Sequence, residues 1–257
     1  MVSGATGRRS VEVDNFLELQ IPLPPLEVQN EIVEKIEKQK QIIEGAEKIE
    51  KNYLVEDSYF QDTNEVQFRE LLSEPLKNGV NFAKEQVGEG TKFVNVGDIF
   101  VPKYISTENL EKVNISDKEI ESNKLAYGDI LFVRSSVKKE GAGYSAIFPD
   151  TNENIVFCGF IIRARLDSTQ ILPDYANYYL RSMRVRKYLI DDLAPVAITN
   201  VNQDKIENIK IPLPPLEAQR QIVEKFDRQM QALEGVRLLK SEAEKRIEEI
   251  LARVWGK

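Results

Sequence analysis

The run Ile21-Pro22-Leu23-Pro24-Pro25-Leu26-Glu27 recurs unchanged as Ile211-Pro212-Leu213-Pro214-Pro215-Leu216-Glu217, at an offset of 190. The match continues through Gln29/Gln219, Ile32-Val33-Glu34-Lys35 against Ile222-Val223-Glu224-Lys225, Gln39/Gln229, Gln41/Gln231 and Glu44-Gly45 against Glu234-Gly235. It also reaches back to Asp14/Asp204 and Val11/Val201. A repeat at fixed offset constrains architecture before any local propensity does. Two copies separated by a long unrelated stretch do not make a stacked solenoid. One element is used twice around an insert.

Each copy predicts an extended segment, a proline brake and a long helix. The Pro-Leu-Pro-Pro run fixes φ, removes donors and pushes the residue before each proline out of the α region. Pro25 and Pro215 fall near the first helical turn, where a missing N–H is harmless. Glu27 and Glu217 suit the positive end of the helix dipole. In the second copy Ile222, Phe226, Gln229, Leu233, Val236, Leu239, Ala243, Ile247, Ile250 and Val254 recur in steps of three and four. The first copy offers Ile32, Ile36, Gln39, Ile43, Ala46, Ile49 and Tyr53. Such narrow stripes mark helices that pack along their length. The second helix, from Leu216 to about Arg253, would be roughly 57 Å long at ~1.5 Å per residue. A helix of that length wants a partner, and its own duplicate is the nearest candidate. The expected interface is Ile32, Ile36, Gln39 and Ile43 against Ile222, Phe226, Gln229, Leu233 and Val236, with the helices antiparallel. Gly45 and Gly235, mid-helix, are expected to mark close approach or a local break.

Several chemistries are excluded. The 257 residues contain no histidine, which removes Ser-His-Asp, Cys-His and histidine-ligated metal sites. The single cysteine, Cys158, can form no internal disulfide or zinc cluster. No phosphate-binding Gly-rich signature occurs; Gly88-Glu89-Gly90-Thr91-Lys92 has the wrong order and reads as a turn. No apolar run approaches the ~20 residues of a membrane helix. The expected setting is reduced and cytoplasmic, away from membranes. The net charge of −7 argues weakly against an autonomous nucleic-acid binder, although distribution matters more than the total.

The insert, 61–209, has the composition of a mixed α/β or α+β domain. Strands are expected at Phe93–Val96, Ile130–Val133, Tyr144–Phe148 and Ile155–Ala164, and a helix from Pro173 to Leu189 with Asp174 as its cap. Charge within it is polarised. Residues 60–133 hold 8 Lys/Arg and 13 Asp/Glu, whereas residues 134–190 hold 9 and 5. The basic half carries Arg134, Lys138, Lys139, Arg163, Arg165, Arg181, Arg184, Arg186 and Lys187 among Tyr144, Tyr178 and Tyr188. Basic groups beside aromatics and Ser/Asn donors are what phosphate anchoring and base reading need. A solvated helix face would account for Arg181–Lys187 equally well. For Arg134-Ser135-Ser136-Val137-Lys138-Lys139 the DNA reading is preferred, because a loop after a strand can enter a groove.

The ordered set resembles the specificity subunit of type I restriction–modification systems. The resemblance lies in Tyr127-Gly128-Asp129-Ile130-Leu131-Phe132-Val133-Arg134-Ser135, Asn177-Tyr178-Tyr179-Leu180-Arg181-Ser182, Asn200-Val201-Asn202-Gln203-Asp204-Lys205-Ile206 and the doubled proline–helix motif. It implies a target-recognition domain joined to two long helices packed as an antiparallel coiled coil. It implies reading of one half of a bipartite duplex DNA target. It also implies docking of methyltransferase and restriction subunits, which would supply S-adenosylmethionine and ATP chemistry; this chain would hold no cofactor or metal and do no catalysis. Family members usually carry two recognition domains, and this chain carries one. Residues 1–20 are accordingly expected to close a preceding domain, with proline–helix elements at 21–60 and 210–257, and a homodimer is open to such a chain. The expected DNA-contacting residues are Arg134, Ser135, Ser136, Lys138, Lys139, Tyr144, Lys103, Tyr104, Arg163, Arg181, Arg184 and Asn200. The rival classes are a coiled-coil adaptor that binds no DNA, and a nuclease or methyltransferase fragment. The latter should show a Gly-rich cofactor loop or an Asn-Pro-Pro-aromatic tetrad, and the sequence has neither.

Overall fold

Ile130-Leu131-Phe132-Val133 shows no polar alternation, and the computed structural model supplies the reason: all four residues are buried. Ile130 and Phe132 face one apolar cluster, Leu131 and Val133 another. A strand covered on both faces has no solvent side to mark with polar residues. The structure describes residues 2–3, 10–11, 21–52, 60, 64–191 and 199–255. It falls into two units, Met1–Tyr53 with Ala232–Lys257, and Leu54–Gln231.

In chain order the strands are β1 (Val2–Ser3), β2 (Ser10–Val11), β3 (Glu65–Gln67), β4 (Leu72–Asn78), β5 (Val87–Val94), β6 (Lys112–Val113), β7 (Ile130–Val133), β8 (Ser135–Ser136), β9 (Ser145–Ile147), β10 (Ile155–Phe157), β11 (Ile161–Leu166), β12 (Thr199–Asn200) and β13 (Lys210–Pro212). The helices are α1 (Leu26–Asn52), α2 (Asp117–Asn123), α3 (Pro173–Leu180), α4 (Met183–Ile190), α5 (Gln203–Glu207) and α6 (Leu216–Val254).

The Leu54–Gln231 unit is built on the antiparallel sheet β4-β11-β7-β9. One face meets a cluster that includes Phe68, Tyr175, Tyr179, Leu189, Ile206, Ile211 and Phe226. The other meets Phe93, Val94, Val113, Phe148, Val156 and Phe157, from or beside the second sheet, β10-β5-β6. Burying side chains of this size contributes about 1.5–3 kcal/mol each. Two short pairs, β12-β8 and β13-β3, complete the ladders. The unit extends past the expected 61–209 because the opening turns of α6 belong to its core, where Phe226 stacks on Phe60 with ring centroids 5.5 Å apart.

Three local expectations are corrected. The apolar run Ile155–Ala164 is two strands, broken where Ile161 N donates to Cys158 O at 3.0 Å; Gly159 supplies the break. The helix expected over Pro173–Leu189 is two helices, since the Ser182 hydroxyl accepts from Val185 N and starts α4 afresh. Leu172, not Asp174, holds the N-cap position of α3.

In the other unit α1 and α6 run antiparallel. Val28 and Ile32 share a cleft with Ile250 and Val254, while Glu47, near the other end of α1, pairs with Lys240 at 3.0 Å. The less exposed positions of α1 include Gln29, Ile32, Ile36, Gln39, Ile43 and Ala46. Those of α6 in this unit are Leu233, Val236, Lys240, Ala243, Ile247, Ile250, Ala252 and Val254. Apart from Ala252, the steps alternate between three and four, a coiled-coil seam. Leu239 and Ile49, expected on these stripes, are 59% and 49% exposed. Lys240 occupies the seam position instead, its methylene stem covering apolar surface while the ammonium reaches Glu47. Gly45 and Gly235 mark neither a break nor a close approach: both helices pass through them, and a Cβ at either would meet nothing within 4 Å. Val11 pairs with Val2 where β1 and β2 run antiparallel; the rest of the expected closing segment from residue 12 to 20, and Tyr53, lie outside the described residues. Among those residues no helix is long and apolar enough to cross a membrane.

Candidate nucleic-acid interface

The sheet brings several chain segments to one end. β7 finishes at Val133, and the chain leaves it as Arg134-Ser135-Ser136. Here β8 pairs with β12, placing Ser135 opposite Asn200 and Ser136 opposite Thr199. The Ser135 hydroxyl and Asn200 Oδ1 are 2.5 Å apart. Arg134 is pinned through its backbone, its N–H on Phe160 O at 2.8 Å and its carbonyl accepting from Val201 N at 2.9 Å. Its guanidinium donates to Gly159 O at 3.3 Å. The excursion closes where Gly143 N donates to Val133 O at 2.7 Å. Gly143 has φ +67, a left-handed conformation that a side chain would strain. Lys138 and Val137 are exposed between these anchors, and Lys139 reaches Asp191 O at 3.5 Å.

Beneath the loop lies a cation–aromatic layer. The Arg181 guanidinium sits 4.4 Å from the Tyr144 ring centroid, donates to the Tyr144 hydroxyl, and holds the carbonyls of Val101 and Pro102. Phe100 packs on Tyr144 at 5.2 Å. Arg186 donates to Glu140 O at 2.5 Å, and its Nη1 is buried without a hydrogen-bond partner among the described residues. Burial pulls its pKa below the usual arginine value. Tyr144 and Arg181, expected to contact DNA, are both partly exposed, and their mutual contact braces the loop.

The other expected contacts lie elsewhere. Arg163 is 4% exposed and paired with Glu74 at 2.5 Å. Arg165 binds Glu74 at 2.8 Å and clamps the buried Asp129 through two 2.8 Å bonds. Hydrogen bonding to Arg165 holds the Glu74 carboxyl below the usual range, while the bonds to Asp129 first, and to Glu74 after it, raise Arg165. These guanidiniums neutralise carboxylates at the sheet, so Arg163 is a structural group and not a surface one. Lys103 bridges Asp174 and Asp227 at 2.6 and 2.7 Å. Tyr104 donates to Asp174 at 2.6 Å and Tyr178 to Asp227 at 2.5 Å. This knot fastens the Lys103–Tyr104 loop to the start of α6. Arg184 pairs with Glu65 at 2.7 Å. Of the expected set, the strand-end cluster is Arg134, Ser135, Ser136, Lys138, Lys139 and Asn200.

Of the expected helix-interface residues, Ile32, Ile36, Gln39 and Ile43 lie on the α1 seam, and Leu233 and Val236 on that of α6. Ile222 and Phe226 pack into the core of the α/β unit instead, and Gln229 is half-buried within that unit. The Gln39 side-chain oxygen is buried without a hydrogen-bond partner among the described residues.

The same strand end holds groups that reading the sequence missed. Phe160 is 60% exposed at the tip of the Cys158–Ile161 turn. Asn81 lies so close over Gly159 that a Cβ there would push its amide aside. Gln203 donates to Asn78 Oδ1 at 3.1 Å. The glycine inside the Ile155–Ala164 run was the available signal for this turn. Among the described residues no group of acidic, Cys or His side chains could hold a metal.

The described residues thus form an α/β domain with a polar, partly basic strand end and, as a separate unit, an antiparallel pair of long helices. Comparison makes this specific. The family model described as type I restriction modification DNA specificity domain matches residues 76–244, and the chain belongs to that family. It is 31% identical over 120 residues to the StySPI specificity subunit of Salmonella potsdam, covering 46% of this chain and 26% of that one. It is 22% identical over 282 residues to the EcoKI specificity subunit of Escherichia coli K12, covering 98% and 58%. The chain thus spans well under two thirds of the length of these relatives. The solved structure of the HsdS subunit from Thermoanaerobacter tengcongensis shares the fold at TM-score 0.52 and 18% identity, over 98% of this chain and 64% of that one. A structure described in terms of type I R-M complex assembly and conformational transition superposes at TM-score 0.62, again at 18% identity, over 97% and 64%.

Proposed function

We propose that the chain reads one half of a bipartite duplex DNA target and serves as the scaffold on which modification and restriction subunits of a type I system dock. The carrying observation is the convergence of Arg134, Ser135, Ser136, Lys138, Lys139 and Asn200 at one strand end, in a chain of the DNA specificity family. Lysines supply sequence-independent phosphate attraction, and the arginine and amide can reach base edges.

Docking is supported by the paired helices. Val33, Ile42, Leu238 and Leu251 are 57%, 41%, 65% and 41% exposed, beside charges already satisfied within their own helix, such as Lys38 with Glu34 and Arg246 with Glu242. Apolar residues exposed beside satisfied charges are surface that a subunit interface would cover. Methyl transfer, directed to adenine as in the family, would come from the partner, acting in the cytoplasm where the DNA is. Self-association into a homodimer would make the target two-fold symmetric.

The test is duplex binding and methylation with and without a cognate modification subunit. The chain alone is expected to bind weakly and to methylate and cleave nothing. With the partner, binding becomes specific. Replacing Lys138 and Lys139 together with Ala should weaken binding to every sequence and flatten the log–log salt slope by up to about two. Unchanged affinity and slope would remove the loop from the interface, and methyl transfer by the chain alone would overturn the reading.

A further inference from the structure

Phe160 projects from a turn whose backbone is held on every side. Ile161 N closes the turn on Cys158 O at 3.0 Å, and Gly159 N donates to Val80 O at 2.7 Å. Phe160 O accepts from Arg134 N at 2.8 Å, and Gly79 N reaches Ile161 O at 3.2 Å. Gly79 and Gly159 both lie where a Cβ would strike neighbouring atoms, backbone carbonyls in the first case and the Asn81 amide in the second. The ring is therefore presented on a rigid base and is 60% exposed.

A single exposed apolar side chain is ordinarily unremarkable. What distinguishes this one is its company. Around the turn stand Asn78, Asn81, Asn200, Gln203, Ser135 and Arg134, joined by the Gln203–Asn78 and Ser135–Asn200 contacts. A protein-binding hot spot sits amid further apolar surface, and here the neighbours are amides, a hydroxyl and a guanidinium. Amides offer a donor and an acceptor on one planar group, the pattern that base edges in the major groove present in complement. The one apolar feature of that groove is the thymine methyl, for which a phenyl ring is a fitting contact. We infer that Phe160 is a specificity-determining residue of the DNA site, meeting a thymine methyl in the major groove while the surrounding amides read adjacent base edges. This inference rests on the DNA reading given above and adds a base to it.

The experiment is selection from randomised duplexes by the full chain with its modification subunit, followed by affinity measurement on the selected site with each thymine replaced in turn by uracil. For the parent, one thymine-to-uracil change is expected to weaken binding. Phe160→Ala should relax selection at that position by about five- to hundred-fold, lose the uracil effect there, and keep the parent's salt slope. Phe160→Leu, which keeps an apolar group, should retain part of the preference. Equal unfolding midpoints for parent and variants would establish that the fold is intact. An Ala variant with the parent's selection profile, or a parent indifferent to uracil at every position, overturns the role of Phe160 and leaves the DNA reading standing. A parent that selects no sequence at all overturns both.

Discussion

The two copies of the proline–helix element share a seven-residue run and have different surroundings. Ile211 is fully buried, whereas Ile21 is 71% exposed and Leu23 84%. Local structure is nonetheless conserved. Each helix begins immediately after the final proline, at Leu26 and Leu216. Gln29 donates to Pro24 O at 2.7 Å and Gln219 to Pro214 O at 2.9 Å. The second copy adds tertiary bonds. β13 pairs with β3, Tyr175 donates to Pro212 O at 2.8 Å, and Gln219 holds both Leu172 N and Gln170 O. Seven identical residues therefore fix a brake and a helix start by themselves, and what they pack against is decided by the rest of the chain.

The largest break in this comparison should come from truncating the isoleucine in each copy. Ile211→Ala removes a fully buried side chain from the core beneath the sheet and is expected to cost about 2–5 kcal/mol. Ile21→Ala changes an exposed position and should stay within about 0.5 kcal/mol. Denaturant unfolding of the two variants measures both. A cost at Ile21 as large as that at Ile211 would show that the first copy is covered in solution.

The glutamines sharpen the contrast at a smaller scale. Gln219→Ala removes a fully buried amide, leaving the Pro214 carbonyl and the part-buried Leu172 N–H and Gln170 carbonyl without their partner, at a cost of about 1–3 kcal/mol. Gln29→Ala removes only the bond to Pro24 O, and water can replace it at this half-exposed site. The expected loss there is a few tenths of a kcal/mol. Hydrogen exchange at the Leu172 amide provides a local readout, accelerating in the first variant and not in the second.

These pairs also explain how far the sequence could be read. The repeat, the helix starts and the buried strand β7 were legible because proline geometry and unbroken apolar runs act within a few residues. Both long helices followed from their stripes, and their antiparallel direction from the order of the chain, since one helix enters the insert and the other leaves it. What one stripe packs against was not legible. Phe226 and Leu233 lie on the same face of α6, and Phe226 joins an aromatic cluster with Phe60 and Tyr178 while Leu233 belongs with the helical pair. Charged groups were the least legible. Arg163 and Lys138 look equally basic in sequence, and only the strand register buries one against Glu74, 89 positions away. Lys103 and Tyr104 read as a basic–aromatic pair in a loop, and the lysine's ion-pair partner Asp227 stands 124 positions further on, beyond the reach of local pattern. Phe160 was hidden by an apolar run that continued to its other side.

The smallest difference between the copies should come where their surroundings agree. Gly45 and Gly235 occupy equivalent positions, 190 apart, inside uninterrupted helices. Neither has φ in the left-handed region, and a Cβ at either finds open space. Glycine costs about 0.8–1.0 kcal/mol relative to alanine in a helix interior, because it surrenders more backbone freedom on folding. No packing gain offsets that cost here. Gly45→Ala and Gly235→Ala should each stabilise the chain by up to about 1 kcal/mol, and equally within a few tenths of a kcal/mol. Unlike Ile21 and Ile211, these positions sense only their own helix. The double variant should approach the sum, since nothing bridges the two sites at short range. Thermal or denaturant unfolding of the two single variants and the double decides it. A loss of stability at either glycine would mean that a neighbour absent from this single chain comes close enough there to need it bare.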